Sequence, residues 1–303
     1  MSRPDFTRET GPVFLLEQIA VFRYNRSVML YLAIGHICQD VVPGGYVLGG
    51  TVTYATLTAR ACGWSVAVIT RVNSHLDLSR LGEMECMRLP DGVTTTFENI
   101  YTPSGRVQIL HVVAGPIQPA DIPHHLSRVD VVHLAPIAGE VDAALVDVFD
   151  GAWIGVTAQG WMRQWDASGR VSRRAWAEAE SILARADATV LGIADVGGDW
   201  GEIERWASIA RVLVVTQGPA GCTVFERGAS VQVPGTPTSE VDPTGAGDIF
   251  AAAFFTQLRD TGDALLAARF ANCVAAHSVT RRGLAGVPTA AEVQRCLAAL
   301  NAT

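Results

Sequence analysis

The chain has 303 residues, 49% of them apolar, and a net charge of -7. That is enough to bury one large core, or one core with a small appendage, and too apolar for a disordered chain. The acidic balance, with no basic run, argues against a nucleic-acid surface, and no stretch approaches the roughly 18 consecutive apolar residues of a membrane span.

In chain order, residues 1–28 show weak periodicity and mixed charge, and are expected to be a loosely packed N-terminal extension with Met29 as the natural start. "GPVFLLEQIAVF" within them carries Glu17 and lacks the basic leader and small-residue cleavage site of a secretory signal. "LYLAIG" then reads as a buried strand, and "TVTYATLTARACG" as a helix stopped by Gly63. Strand "SVAVITRV", a short helix "SHLDLSRLGE" and strand "ECMRL" follow. Later come strand "VDVVHLAP", helix "VDAALVDVF", strand "WIGVTA", helix "SRRAWAEAESILARA", strand "ATVLGI", helix "DWGEIERWASIA" and strand "RVLVVTQG". Asp199 with Glu202, and Thr289 with Glu292, have the spacing of capping boxes. Repeated βα units imply an α/β fold, a mainly parallel sheet with helices on both faces, whose ligands sit at the carboxyl ends of the strands.

Two stretches break this rhythm. Residues 93–113 alternate with period two around Pro103-Ser104-Gly105, the pattern of a β-hairpin, and residues 37–50 offer another strand pair. Together, over about 37–50 and 92–114, they are expected to form a small β lid over the strand ends, or else a plain edge extension of the main sheet.

The composition also restricts the chemistry. There is no lysine; all 23 basic residues are arginine. This removes the P-loop, Schiff-base and protein-kinase lysines, so phosphate chemistry must use backbone N–H groups, helix dipoles, arginine and metal. The six cysteines contain no CxxC pair and read as buried free thiols in a reducing cytoplasm. The seven histidines have no metal-ligand company in sequence and are read as structural, with His124 and His125 at a solvated helix start.

One segment concentrates the signal. "EVDPTGAGDIFAAAFF", residues 240–255, sets Gly245, Ala246, Gly247 and Asp248 before an apolar run. Without bulk, the N–H groups of 245–248 can turn toward one point, and the donors of the following helix point the same way, which makes an anion cradle without lysine. A glycine turn with Asp248 as helix cap is the plainer alternative. A dinucleotide fingerprint is disfavoured, because Phe250 stands where the third glycine would be. "TQGPAG", with Thr216, Gly218 and Gly221, gives a second glycine turn at a strand end, suited to the other side of a polyphosphate.

"DPTGAGDIFAAAF" resembles the second signature of the ribokinase-like (PfkB) carbohydrate kinase family, and "LGGTVTYATLTARACGW" its first. "TQGPAG" resembles its nucleotide-binding turn, and "ANCVAAHSVTRRGLAGVPT" its closing helix and loop. These segments stand in family order over roughly residues 29–300. The resemblance implies a three-layer ribokinase-like sandwich over 29–303 and an ATP- and Mg2+-dependent kinase of a small polyol or sugar. It implies Asp248 as catalytic base with the cradle of Gly245, Ala246 and Gly247. Asp40, Gly49, Gly50 and Tyr54 are implied at the substrate, Asp40 being otherwise a turn residue before Pro43. Thr216, Gly218, Gly221 and Asn272 are implied at the nucleotide, Asn272 being otherwise a core asparagine.

The departures have a direction. Tyr54 replaces the asparagine that touches the sugar in many members, and the N-x-x-E metal element is missing, leaving Asp195 in "GIADVGGD" as the nearest carboxylate. Arg163 is a candidate phosphate partner or a surface arginine, and Asp242 a loop cap or cation ligand. "GHICQDV", "GGTVTYAT" and "AQGWMRQWD" are similar to the myo-inositol kinase branch. A cyclitol is therefore the favoured acceptor, with other sugars and nucleosides as alternatives. A catalytically weakened ligand-binding relative and a nucleotide-binding regulator are the rival classes. The expected setting is cytoplasmic, without nucleic acid or membrane, as a monomer or a lid-mediated homodimer.

Overall fold

In the computed structural model, residues 29–102, 105–126, 128–149 and 151–300 are described. The expected N-terminal extension and the tip of the hairpin turn, Pro103 and Ser104, lie outside them. Leu30–Ile34 (β1) begins the central sheet, and Cys38–Val42 (β2) and Gly45–Gly49 (β3) leave it. Helix Thr51–Ala61 (α1) leads back to Ser65–Asn73 (β4) and Glu85–Asp91 (β5). Thr96–Thr102 (β6) and Gly105–Val112 (β7) pair as the expected hairpin. Val131–Leu134 (β8) and Trp153–Thr157 (β9) rejoin the sheet, and Arg163–Trp165 (β10) and Val171–Arg173 (β11) form a short ribbon. Ala179–Arg185 (α2), Ala188–Gly192 (β12), Trp200–Ala207 (α3), Val212–Thr216 (β13), Cys222–Glu226 (β14) and Ala229–Val233 (β15) follow. Three helices close the chain: Ala246–Thr261 (α4), Ala264–Ser278 (α5) and Ala290–Leu300 (α6).

The central sheet has nine strands in the order β15-β14-β13-β12-β9-β8-β1-β4-β5. It is parallel from β5 to β13, and antiparallel only where β14 and β15 are added. Alternate residues of β1 feed two different cores. Tyr31 and Ala33 pack with α1, α4 and α5, whereas Leu30, Leu32 and Ile34 face α2 and α3. Period-two side chains buried on both faces make the sheet the middle of three layers, which is the ribokinase-like arrangement expected. Helix α4 is buried from Ile249 through Thr256, which explains why its sequence is apolar all round.

The second sheet has four strands in the order β3-β2-β6-β7, so the two irregular stretches do meet, outside the main sheet. Cys38, Phe97, Leu110, Ile137 and Ala138 form its own small core.

Several expected elements are shorter than their periodicity suggested. The helix over 74–83 is only a 3-10 turn, Ser79–Leu81. The amides of His75 and Ser79 instead donate to the side chains of Asn73 and Asp77, an alternative to helical bonding. The helix over 141–149 is likewise a 3-10 turn, Ala143–Asp147, started by Asp142. The helix over 172–186 begins only at Ala179, because Ser172 and Arg173 are taken by the ladder with Gln164 and Arg163. Trp176 then stacks on Trp161 with ring centroids 5.6 Å apart. The reading of six free thiols is corrected for one pair: Cys273 on α5 and Cys296 on α6 form a disulfide, their Cα atoms 5.8 Å apart across the helix contact. Cys38 and Cys222 are buried free thiols, and Cys62 and Cys86 are half-buried. The Thr289/Glu292 capping box is complete, with Glu292 N–H donating to Thr289 at 3.2 Å and Thr289 N–H to Glu292 at 2.8 Å. Asp199 accepts from Glu202 N–H at 3.1 Å, but the Glu202 carboxylate turns to Arg173. Among the described residues, no helix is long and apolar enough to cross a membrane.

Candidate active site

The first turn of α4 is held from below. Asp242 accepts from Thr244 N–H and from Gly283 N–H, each at 3.0 Å, so it ties the loop before α4 to the loop after α5. Burial pushes the Asp242 carboxyl up, but the bonds from Thr244 and Gly283 outweigh it and hold the group below the usual carboxylate range. Of its two candidate roles, the structure shows the loop cap. Gly245 is the cap residue of α4 and has φ 79. A Cβ there would lie 2.5 Å from the Tyr54 ring, so two independent constraints require glycine. Tyr54, buried on α1, is thus the floor beneath the loop.

Not every amide of the cradle faces outward. Ala246 N–H donates to Pro243 at 3.1 Å within the turn, while Gly247 N–H has no hydrogen-bond partner among the described residues. A Cβ at Gly247 would meet nothing within 4 Å, and the residue borders open space on both sides of the turn. Asp248 is the third residue of the helix, not its cap.

Two cavities meet at this turn. The first, about 360 Å³, is lined by Asp40, Tyr54, Phe97, Asn99, Arg163 and Asp248, with Gly50, Gln108, Gln159 and Gly245 also on its wall. Asp40 sits on β2 opposite β3, where a Cβ on Gly49 would come within 2.2 Å of its carboxylate. Gly49 therefore makes room for Asp40 from behind rather than lining the cavity itself. Gly50, at φ 92, turns the chain into α1 so closely that a Cβ would lie 2.4 Å from the His36 carbonyl. Asn99 reaches Asp40 at 3.5 Å, and Gln108 donates to Asn99 at 3.0 Å. Arg163 donates to the Ile137 carbonyl at 3.0 Å and lies over the Phe97 ring, 5.7 Å from its centroid. Burial, and then the charges of Asp40 and Asp248, push the Tyr54 phenol well up, so it is neutral and keeps a proton to donate in a hydrogen bond. The Cys38 thiol is pushed up by burial and by Asp40 in the same way.

The second cavity, about 290 Å³, collects Thr216, Gly218, Gly221 and Asn272 with Ala246 and Gly247. Pro219, Pro237, Phe250 and Ala276 give it an apolar wall, and no arginine is among its lining residues. Asn272 donates to the carbonyls of Val233 and Pro234 at 3.3 and 3.1 Å, fixing the segment that closes one side. Pro243 and Gly247 line both cavities, so the two open onto a single point beside Asp248.

Asp195 lies just past the end of β12, beside Thr216 at the end of the neighbouring strand: a Cβ on Gly192 would be 3.2 Å from its carboxylate and 3.6 Å from the Thr216 hydroxyl. Asp195 accepts from Gly192 N–H at 2.8 Å and from Gln159 at 3.0 Å, and lines a third cavity with Arg163, Arg170 and Arg173. Gln159 and Arg163 border both this cavity and the one holding Asp248. A larger cavity of about 500 Å³, bounded by Gln39, Tyr46, Asn73 and Arg80, holds none of the signature residues.

Sequence reading missed Asn99, Gln108, Gln159 and Glu140. The first two carried a usable signal: Phe97 and Asn99 are two apart on β6, and Gln108 is the cross-strand partner of Asn99. Glu140 is buried at 3% exposure and accepts from the amides of His36, Ile137 and Ala138. It locks the loops leaving β1 and β8, which support the Asp40 side of the site. His36 bridges the Gly115 carbonyl through Nε2 and Thr95 through Nδ1; since a carbonyl only accepts, Nε2 carries the proton.

The profile of the pfkB family carbohydrate kinases matches residues 199–290. The Arabidopsis thaliana protein named "Probable fructokinase-5" is 32% identical over 131 residues, covering 40% of this chain and 40% of that one. The chain thus spans well under two thirds of this relative's length. The "Cytidine kinase" of Thermococcus kodakarensis is 24% identical over 248 residues, 74% of this chain and 86% of its own. Among solved structures, "Pyrophosphate-dependent kinase in the ribokinase family complexed with a pyrophosphate analog and myo-inositol" superposes with a TM-score of 0.73 at 24% identity, over 87% of this chain and 99% of that one.

Proposed function

The chain belongs to the ribokinase-like (PfkB) carbohydrate kinase family, and from that premise we propose that it transfers the γ-phosphoryl group of ATP to a hydroxyl of a small polyol or sugar, a cyclitol such as inositol being the favoured acceptor. The observation that carries this reading is the junction of two cavities at Gly247, with Asp248 on the acceptor side.

In this reading the acceptor occupies the cavity around Asp40 and Asp248. Asp40, oriented by Asn99, accepts hydrogen bonds from substrate hydroxyls, and the neutral Tyr54 phenol donates one. Asp248 takes the proton of the attacking hydroxyl, a contribution typically worth about 10²–10⁴-fold in rate. The Gly247 amide and the α4 N-terminus face the charge that develops on the transferring group. Arg163 supplies the cationic partner that lysine cannot, in a chain whose only strong bases are arginines. The second sheet, through Phe97 and Asn99, acts as the lid that excludes water.

The donor cavity favours a nucleotide over inorganic pyrophosphate. A bare diphosphate needs cations around it, whereas the described lining of this cavity sets prolines, alanines and Phe250 among threonines and glycines, with Glu240 as its charged residue and no arginine. Such a slot suits the flat apolar faces of adenine. Asp195 fits a place beside Mg2+: its carboxylate keeps lone pairs after its two bonds, and one carboxylate plus substrate phosphates is an ordinary Mg2+ set. Bound there, Mg2+ would screen the donor phosphates.

The cyclitol preference rests on convergence. The three segments that resemble the myo-inositol kinase branch contribute Cys38 and Asp40, Gly50 and Tyr54, and Gln159 and Arg163 to one cavity. The test is formation of phosphorylated acceptor, with Mg2+ present, across a panel of inositols, sugars and nucleosides, read as ADP release with ATP and as orthophosphate release in a parallel series supplied with pyrophosphate. Acceptor-dependent turnover with ATP, fastest on an inositol, is expected. Turnover only on a nucleoside would replace the acceptor class, turnover only with pyrophosphate would replace the donor, and binding without turnover would end the kinase reading.

A further inference from the structure

A cluster of soft ligands lies outside the two cavities just described. Cys273 and His277 are one turn apart on α5, and Cys296 meets them from α6. One ligand atom from each lies within 4.8 Å of the other two. The structure pairs the two sulfurs as a disulfide. That bond does not account for the third member. The His277 ring nitrogens make no hydrogen bond to any described residue, and an imidazole beside a sulfur pair adds nothing to a covalent staple.

We propose that Cys273, His277 and Cys296 form a redox-gated site for a thiophilic divalent cation, zinc by preference. In the oxidised form the sulfurs carry no thiolate and the site is closed. A dithiol reductant gives up two electrons and two protons, the S–S bond breaks, and two thiols result. Zinc binding then releases both thiol protons, forms two Zn–S bonds and one Zn–N bond to the neutral imidazole, and leaves the fourth position to water. Two thiolates balance the ion's charge, so the complex is neutral, as a half-buried position favours. With Zn–S near 2.3 Å and Zn–N about 2.0–2.1 Å, tetrahedral ligand atoms lie roughly 3.5 Å apart. The three side chains already span a distance compatible with that after the sulfurs separate. Sulfur and imidazole select zinc over Mg2+, so the site would not compete for the metal of phosphoryl transfer.

The position gives the site a consequence. Asn272, Ala275, Ala276 and Val279 line the donor cavity from the neighbouring face of α5. The clasp between α5 and α6 therefore braces the wall of that cavity, as a disulfide when oxidised and as a metal bridge when reduced.

Cobalt is the probe that tests this on the full chain. Reduced protein, freed of reductant without air, should develop thiolate-to-cobalt charge transfer that saturates at one equivalent and is bleached by zinc. Protein kept oxidised should show none. Cys296→Ser should abolish the band. His277→Ala leaves the disulfide intact, so it folds as the parent does when oxidised, and after reduction it should lose the one-equivalent endpoint. Absence of a saturating thiolate band in the reduced parent would overturn the proposal. So would an unchanged titration in His277→Ala, which would leave the pair as a disulfide alone.

Discussion

A carboxylate in the first turn of a buried helix can serve as cap or as base, and Asp248→Asn separates the two. Asparagine caps about as well as aspartate but is no base near neutral pH. The cap position of α4 is already filled by Gly245, whose lack of a side chain leaves no side-chain cap to lose. We therefore predict a fall in kcat of at least about 10²-fold, with KM for ATP within a few-fold and Tm nearly unchanged. Near-parental turnover at unchanged Tm would remove Asp248 from the chemistry. Asp40→Ala reads the other side of the same cavity. Asp40 is half-buried, and losing an acceptor of hydroxyl bonds that the bound substrate covers costs roughly 1–3 kcal/mol, so KM for the acceptor should rise by about tenfold or more while KM for ATP holds. Equal rises in both would place Asp40 outside the acceptor pocket. Gly245→Ala is different in kind, since it forces φ 79 on an L-residue and drives a Cβ to 2.5 Å from Tyr54. Tm and kcat should fall together, by at least about 2 kcal/mol of stability, because the floor and the cradle share that contact. A stable, active variant would mean that Tyr54 can leave without disturbing the loop.

At the scale of elements, what was readable in sequence is what the backbone decides locally. The turns Gly245–Asp248 and Thr216–Gly221 were legible because glycine spacing before a helix or after a strand has few other uses; the first falls at the cavity junction and the second lines the donor cavity. The hairpin was legible from its alternation. The helices over 74–83 and 141–149 misled because Asn73, Asp77 and Asp142 capture amides that a helix would need, which apolar periodicity does not register. Asn99, Gln159 and the Cys273–Cys296 pair were invisible for another reason. Their partners are set by how sheets and helices pack, and the two cysteines are 23 residues apart on separate helices. The start of α6 shows a local rule that held and can be tested. Arg281 binds both oxygens of Glu292, at 2.7 and 3.0 Å, and holds its carboxyl down to about 2. A carboxyl depressed in the folded state contributes stability above its unfolded pKa, about 4.3, and loses it as pH falls toward the folded value. Glu292→Gln should therefore lower Tm near neutral pH, and the gap to the parent should close between about pH 4.3 and 2. A gap independent of pH would assign the effect to packing instead of charge.

For the molecule as a whole, the first acid loss, below about pH 6.5 and above the range of Glu292, should come from one residue in the middle of the sheet. His133 on β8 is fully buried, with Tyr31 of β1 at 2.8 Å on Nδ1, Thr157 of β9 at 3.0 Å on Nε2, and Phe255 of α4 packed against the ring. It joins three adjacent strands to the helix that carries Asp248, so whatever destabilises it loosens both the sheet and the site. Burial among these neutral groups pushes its pKa down to about 3. Unfolded, the same imidazole titrates near 6.5. Between those values the unfolded chain binds a proton that the folded chain refuses, so stability falls as pH falls, by up to about 1.4 kcal/mol per pH unit. Above about pH 6.5 the term is absent. Urea unfolding at pH 7, 5.5 and 4 should therefore show a steep acid loss in the parent. His133→Gln keeps a donor and an acceptor but cannot be protonated in this range. It should start less stable at pH 7, through imperfect packing against Phe255, and then lose less on acidification, so that the two curves converge. Parallel curves would show that His133 accepts its proton without unfolding the sheet, and the acid limb would then belong to the carboxylates.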